Sequence, residues 1–363
     1  MKTLFAAILS LLALLLLYLA FWPVPVSPLA WDAPKFRGLI DPFAPNDRLS
    51  LAKSVSIGDF DGPEDIAGGS DGFLYVSTKS GHIIRQRSSR QEFEVFVEVG
   101  GRPLGLEFGS DEYLYIANAP LGLQRVSPDG SIETMVNEFD GEPIHYADDL
   151  AVADDGRVFF SDASSKFNPV NSGGSYEASL LDILEHGGHG RVFEYSPATK
   201  QTRVIMDGLN FANGVAISED QQFLIVNETG HYRVVKHWLE GPNAGNSEII
   251  LDNLPGFPDN VNNGINGKFW IGLVAPRVDI LDDLSDSPFL RKVVQRLPAS
   301  FRPKALPSSH VIAIDGDGQV LMNLQDTRMT FPALTGVYET RQYLYLTSLF
   351  GNRFGRLDKR DLQ

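Results

Sequence analysis

The chain has 363 residues, of which 43% are hydrophobic and 21% charged, with a formal net charge of −15 and no cysteine. That length and apolar content suffice for a substantial core, and the 34 glycines and 22 prolines suit a turn-dense all-β protein. The acidity argues against nucleic acid as a partner, and the missing cysteine excludes disulfides, thiolate metal sites and a cysteine nucleophile.

In chain order, the first element is apolar from Leu4 to Trp22 apart from Ser10. Its length matches the 17–25 residues that cross a bilayer. Lys2 precedes it, Trp22 ends it at an interface-like position, and "PVPVSP" leaves no small-x-small cleavage site. Residues 1–22 therefore read as a transmembrane signal anchor with the remainder exported. The alternative is a cleaved signal peptide. Residues 23–50, rich in proline, read as a tether, and residues 51–363 as the folded domain.

That domain repeats. Six apolar strand cores of one type, "GFLYVST", "EYLYIAN", "RVFFSDA", "QFLIVNE", "KFWIGLV" and "QYLYLTS", centre on Tyr75, Tyr115, Phe159, Ile225, Trp270 and Tyr345. The successive spacings are 40, 44, 66, 45 and 75 residues. Each long gap holds an insertion, at 164–188 and 276–309, and without them both gaps shrink to about 41, a propeller-like period. Six units predict a six-bladed β-propeller. Each insertion follows a blade's second strand, which predicts two lids over the face where the first strands begin.

Between 10 and 12 residues before each centre lies the start of the preceding strand, written X-x-apolar. X is Glu64, Leu104, Asp148, Asn213, Asp259 and Thr335 in turn. The first strand of each propeller blade lines the channel, so these six positions form a ring. Three carboxylates and an amide converging there would repel one another without a cation. All four donors are oxygens, which suits Ca²⁺ best. Glu64, Asp148, Asn213 and Asp259 are the expected ligands, with Asn260 and Asp149 as second candidates. Taken singly, each also reads as a turn cap.

The stretches "GRPLGLEF", "DDLAVADDGRVFFSDASSKF", "GRVFEYSPATKQTRVIMDGLNFANGVAIS" and "LPGFPDNVN" resemble the strictosidine synthase-like and adipocyte plasma membrane-associated protein family. That family is a branch of the six-bladed calcium-dependent phosphotriesterase superfamily, with gluconolactonases and paraoxonases. The likeness covers nearly the whole chain. It implies a membrane-anchored propeller with calcium at the places of Glu64, Asp148, Asn213 and Asp259. Two departures stand out. Thr335 occupies the place of strictosidine synthase's catalytic glutamate, which argues against its condensation reaction here. Leu104 occupies the place of the paraoxonases' proton-shuttling histidine.

Calcium in the channel would polarise a carbonyl and activate water, and a side chain must move the proton. Asp259, beside the metal, ranks first, followed by His145, three residues before Asp148. His189 and His231 are further options, while Glu228 either faces the pocket or pairs with Arg233. No G-x-S-x-G, P-loop or H-E-x-x-H motif competes. The expected function is calcium-dependent hydrolysis of a small hydrophobic ester or lactone. The alternative is a non-catalytic binding propeller with structural calcium.

Overall fold

A computed structural model describes residues 1–87 and 92–362. Among them, the strands form six four-stranded antiparallel sheets in a six-bladed propeller, as the repeat predicts. The innermost strands are Ile66–Gly68, Arg102–Phe108, Ala147–Val152, Ala212–Ile217, Gly256–Asn263 and Leu334–Glu339. Each lies beside the next, and the last lies beside the first. The circle is closed by Lys53–Ser56, which adds to the last blade as its outermost strand, antiparallel to Arg353–Asp358. The propeller's first strand therefore belongs to its sixth blade and locks the two halves of the chain together.

The core lies between blades. Tyr75, Tyr115, Phe159, Ile225 and Trp270 are buried there, while Tyr345 is half-buried. Each such side chain contributes roughly 1.5–3 kcal/mol relative to exposure. One device recurs on the inner strands. In blades two to six the pairing slips at the start of the strand, so that an extra residue sits opposite its partner. Ala147 pairs with Asp162, but Leu150 pairs with Phe160. The same slip separates Ala212 from Val215, Pro258 from Val261, Leu334 from Val337 and Pro103 from Leu106. These β-bulges hold the ring residues, and a bulge re-aims the side chains it carries.

The residue after each ring position forms a second circle: Asp65, Gly105, Asp149, Gly214, Asn260 and Gly336. Polar and glycine members alternate for a steric reason. A Cβ on Gly105 would strike Asp149, and one on Gly336 would strike Asn262. The polar members sew blades together. Asp65 accepts from the Leu106 amide at 2.9 Å, and Asp149 accepts from the Val215 amide at 3.0 Å. Asn262 donates to Asp65 at 3.0 Å and accepts from the Val337 amide at 3.1 Å.

Five α-helices stand outside the blades among the described residues. Helix α1 (Lys2–Phe21) is apolar throughout with no buried residue, and Pro23 follows its end. Helices α2 (Pro169–Ser172) and α3 (Ser175–Glu185) fill the first insertion, and α4 (Asp279–Asp283) and α5 (Pro288–Arg296) the second. Asn168 caps α2 by accepting from the Val170 amide at 2.8 Å.

Residues 23–50, expected as a tether, are packed down rather than loose. Val26 and Leu49 are buried, the Leu29 amide donates to Glu185 O at 3.0 Å, and Trp31 stacks on His186 at 3.9 Å. Arg291 ties this strap to both insertions. It is buried and donates to the carbonyls of Leu184, Ser285 and Leu29. Its charge also sits at the C-terminus of α3, where the helix dipole favours a cation.

Candidate metal centre

The two insertions and the ring enclose one large cavity of about 1130 Å³, with Glu64, Asp148, Asn213 and Asp259 all in its wall. The four are 2%, 4%, 3% and 7% exposed, so three bulges and the turn before Ile66, which carries Glu64, bring them to one buried place. Asn213 Nδ2 donates to Asp259 Oδ1 at 2.7 Å, which leaves Asn213 Oδ1 buried with no donor. Asp259 is further fixed through its backbone, whose carbonyl accepts from Asn227 Nδ2 at 2.6 Å. Among the described residues no hydrogen bond or ion pair reaches the Asp148 carboxylate. Of the other two ring positions, Leu104 lines the cavity. Thr335 is buried and donates to Glu64 O at 2.7 Å.

Arg102, two residues before Leu104, went unremarked in the sequence reading. Its Nη2 meets Glu64 Oε2 at 2.5 Å and its Nη1 meets Gly62 O at 3.1 Å. Its partner lies 38 residues away in the chain, so no local pattern marks it.

The electrostatics follow from this arrangement. Burial, then the charges of Asp259, Glu64 and Asp149, push the Asp148 carboxyl well above the usual carboxylate range. Burial and Glu64 push Asp259 up as well, against the Asn213 bond. Burial raises Glu64 too, while Arg102 opposes the rise. Three buried carboxylates thus share one arginine. Among the described residues no group of three His, Cys, Asp or Glu side chains is gathered closely enough to grip an ion as it stands. The chemistry of the set still fits a hard divalent cation. It offers carboxylate oxygens short of counter-charge and an amide oxygen short of a donor.

His145 does not line the cavity. Its Nδ1 lies 3.1 Å from Asn168 Nδ2, and Asp162 is beside it. The next residue, Tyr146, is the one that lines the cavity. His145 is therefore placed away from the ring carboxylates, contrary to the expectation that it moves a proton there. His189 is bound to Glu185 at 2.7 Å, and His231 to Glu228 at 2.5 Å. Glu228 also pairs with Arg233 at 2.6 Å, so it belongs to that network and not to the pocket. Among the described residues no histidine lines the cavity.

Most of the remaining wall is apolar, with Lys166, Glu177, Arg302 and Lys304 as its charged members. Phe167, Leu184, Phe211, Phe257 and Val274 stand with Tyr146, whose hydroxyl donates to Ser175 O at 2.8 Å and so holds α3 over the ring. Tyr176 of α3 packs edge-on against Phe350 at 5.5 Å, and both line the cavity.

Residues 41–86 match the model for the N-terminal region of strictosidine synthase-like proteins, and residues 148–242 that for strictosidine synthase. Strictosidine synthase-like 6 of Arabidopsis thaliana is 34% identical over 86% of this chain and 83% of its own length. Adipocyte plasma membrane-associated protein of Gallus gallus is 29% identical over 90% of this chain and 82% of its own. Strictosidine synthase-like 13 of Arabidopsis thaliana is 38% identical, but the match spans only 56% of its length. Among solved structures, a gluconolactonase from Xanthomonas campestris covers 92% of this chain, and 97% of its own is covered. Its TM-score is 0.61 at 18% identity. Regucalcin of Agrobacterium tumefaciens, a calcium-binding protein, covers 81% of this chain and 90% of its own. Its TM-score is 0.55 at 12% identity. At such identities these two share the fold.

Proposed function

Taking as premise that the chain belongs to the strictosidine synthase-like family, we propose that it is a calcium-dependent hydrolase of hydrophobic esters or lactones. One observation carries this reading: three buried carboxylates and an amide oxygen without a donor stand in the wall of an open, mostly apolar cavity. The gluconolactonase-type fold neighbours support the same class.

Glu64, Asp148, Asn213 and Asp259 would hold the ion. Calcium, when bound, supplies positive charge that polarises the substrate carbonyl and favours the oxyanion formed on attack. The chain's own groups do the rest. The apolar wall takes the hydrophobic part of the substrate, and α3 and α5 restrict water. Asp259, with one oxygen anchored by Asn213, accepts the proton of the attacking water on its other oxygen. That proton then passes to the departing alkoxide oxygen, so ester and water become acid and alcohol. Helix α1 anchors the chain in a membrane with the propeller on the exported side. Its apolar length and the membrane-associated relatives support this.

A second reading, a ligand-binding propeller without chemistry, is favoured by the lack of any histidine in the cavity wall. Hydrolysis of phenyl acetate and a lactone panel by the full chain, with and without chelator, decides between them. The hydrolase reading expects activity that chelator abolishes and that Asn213→Ala and Asp259→Ala lack. Activity that survives both substitutions contradicts it. Calcium-dependent stabilisation without any turnover supports the binding module.

A further inference from the structure

The end of α1 and the cavity are joined directly. Trp22 closes α1, and Pro25, three residues on, lines the cavity. Three residues span at most about 11 Å. The head-group layer of one leaflet is itself about 5–7 Å deep. Lid helix α5 is bonded to the same end of α1. Arg296 Nη1 donates to Leu19 O at 2.9 Å, its Nε to Trp22 O at 2.6 Å, and Tyr18 donates its hydroxyl to Arg296 O at 3.0 Å. The linkage is therefore held at both the strap and the lid.

The mouth is dressed to match. Phe301 is 74% exposed, and Leu306, which lines the cavity, is 65% exposed. Leu180 and Phe350, also in the wall, face solvent at 37% and 41%, and Phe289 and Leu290 of α5 are exposed as well. Between Ser287 and Ser308 there are five basic residues and no acidic one, in a chain of net charge −15; Arg291 and Arg296 are buried in the bonds already described, which leaves Lys292, Arg302 and Lys304 toward the surface. Exposed aromatic and aliphatic side chains among cations are what a phospholipid surface receives. The apolar groups enter the acyl boundary and the cations meet the phosphates.

We propose that the cavity mouth opens onto the surface of the bilayer that α1 crosses, with residues 288–306 seated among the phospholipid head groups. The substrate then enters from the leaflet, and its class is a long-chain, membrane-dissolved ester or lactone. The substrate half of the proposal rests on the hydrolase reading. The seating half rests only on α1 as a membrane span.

The chain has no native cysteine, so single thiols can be placed cleanly. Full-length Phe301→Cys and Leu306→Cys carry an environment-sensitive dye in phosphatidylcholine–phosphatidylglycerol vesicles. Val95→Cys and Ile249→Cys, on outer strands of blades one and four, are the controls. Spin-labelled lipids are expected to quench the dyes at 301 and 306 and to leave those at 95 and 249 bright. Equal quenching at all four positions overturns the seating. So do dyes at 301 and 306 that are shielded from aqueous iodide but not quenched by lipid, which would indicate a protein partner. In the same vesicles Phe301→Asp is expected to slow hydrolysis of an embedded long-chain ester by about tenfold while sparing phenyl acetate in solution. Unchanged rates on both substrates overturn entry from the leaflet. No hydrolysis of either substrate by the parent chain defeats the hydrolase reading, and the seating is then judged on quenching alone.

Discussion

Replacing Arg102 by methionine removes the arginine bonded to the acid ring and tests whether a metal cation belongs there. The arginine and Glu64 are buried, 9% and 3% exposed at the side chain, and joined at 2.5 Å. Deleting one partner of a buried pair costs about 3–5 kcal/mol, because the other is left uncompensated. Unfolding entropy of about 2.1 cal/mol/K per residue, over about 310 residues of propeller, amounts to about 0.65 kcal/mol/K. In chelator, Tm should therefore fall by about 5–8 °C. Calcium at a hundred times its Kd stabilises any binder by about 2.7 kcal/mol, or about 4 °C here. In the variant the ion also supplies the charge Glu64 has lost, so the calcium increment should exceed that of the parent. Scanning calorimetry of both proteins in chelator and in calcium reads all four values. An equal fall in both media would refute the reasoning and leave Arg102 as an ordinary structural pair.

The other predictions concern what surrounds the ring. Burial alone would raise the Glu185 carboxyl, but bonds from His189, Lys166 and the Ser27 amide outweigh it and hold it down to about 2. A depressed carboxyl stabilises the fold above its unfolded value and loses that contribution as pH falls, here between about 4.5 and 2. Stability should drop there by up to about 1.4 kcal/mol per pH unit, and Glu185→Gln should flatten that part of the Tm-against-pH curve. An unchanged slope would remove Glu185 as its source. A Cβ on Gly214 would strike the blade-five backbone at Val261, Asn260 and Asp259, which cannot swing aside. Gly214→Ala should thus cost about 1–3 kcal/mol in denaturant unfolding, and a neutral result would show that the blades can part. Arg291→Met leaves the carbonyls of Leu184 and Leu29 without their donor, while Ser285 O keeps only the Trp31 amide. Limited proteolysis should then cut the 164–188 insertion several-fold faster, whereas an unaltered digest would deny Arg291 its tying role.

The repeat was legible because each blade must bury the same kind of second strand, and burial leaves an apolar mark in the chain. The ring was legible because the bulge fixes its distance from that strand. The glycines at 105, 214 and 336 were visible too, but their purpose was not. It depends on what a neighbouring blade brings within reach of an added Cβ: a polar side chain at 105 and 336, and backbone at 214. Arg102 and Arg291 were hidden for the same reason, since their partners lie 38 and about a hundred residues away in the chain and leave no periodic trace. The strap at 23–50 looked like a tether because its prolines exclude regular structure, yet Val26 and Trp31 still find apolar surface to cover. His145 stands three residues before Asp148 in the sequence, but its ring meets Asn168 outside the cavity wall.

Anomalous diffraction from crystals soaked in calcium or terbium tests the central claim most directly. A peak within coordination distance of Glu64, Asp148, Asn213 and Asp259, absent from the Asp148→Ala, Asp259→Ala double variant, is the predicted result. Density with no such peak, in crystals whose ring side chains are ordered, would contradict it.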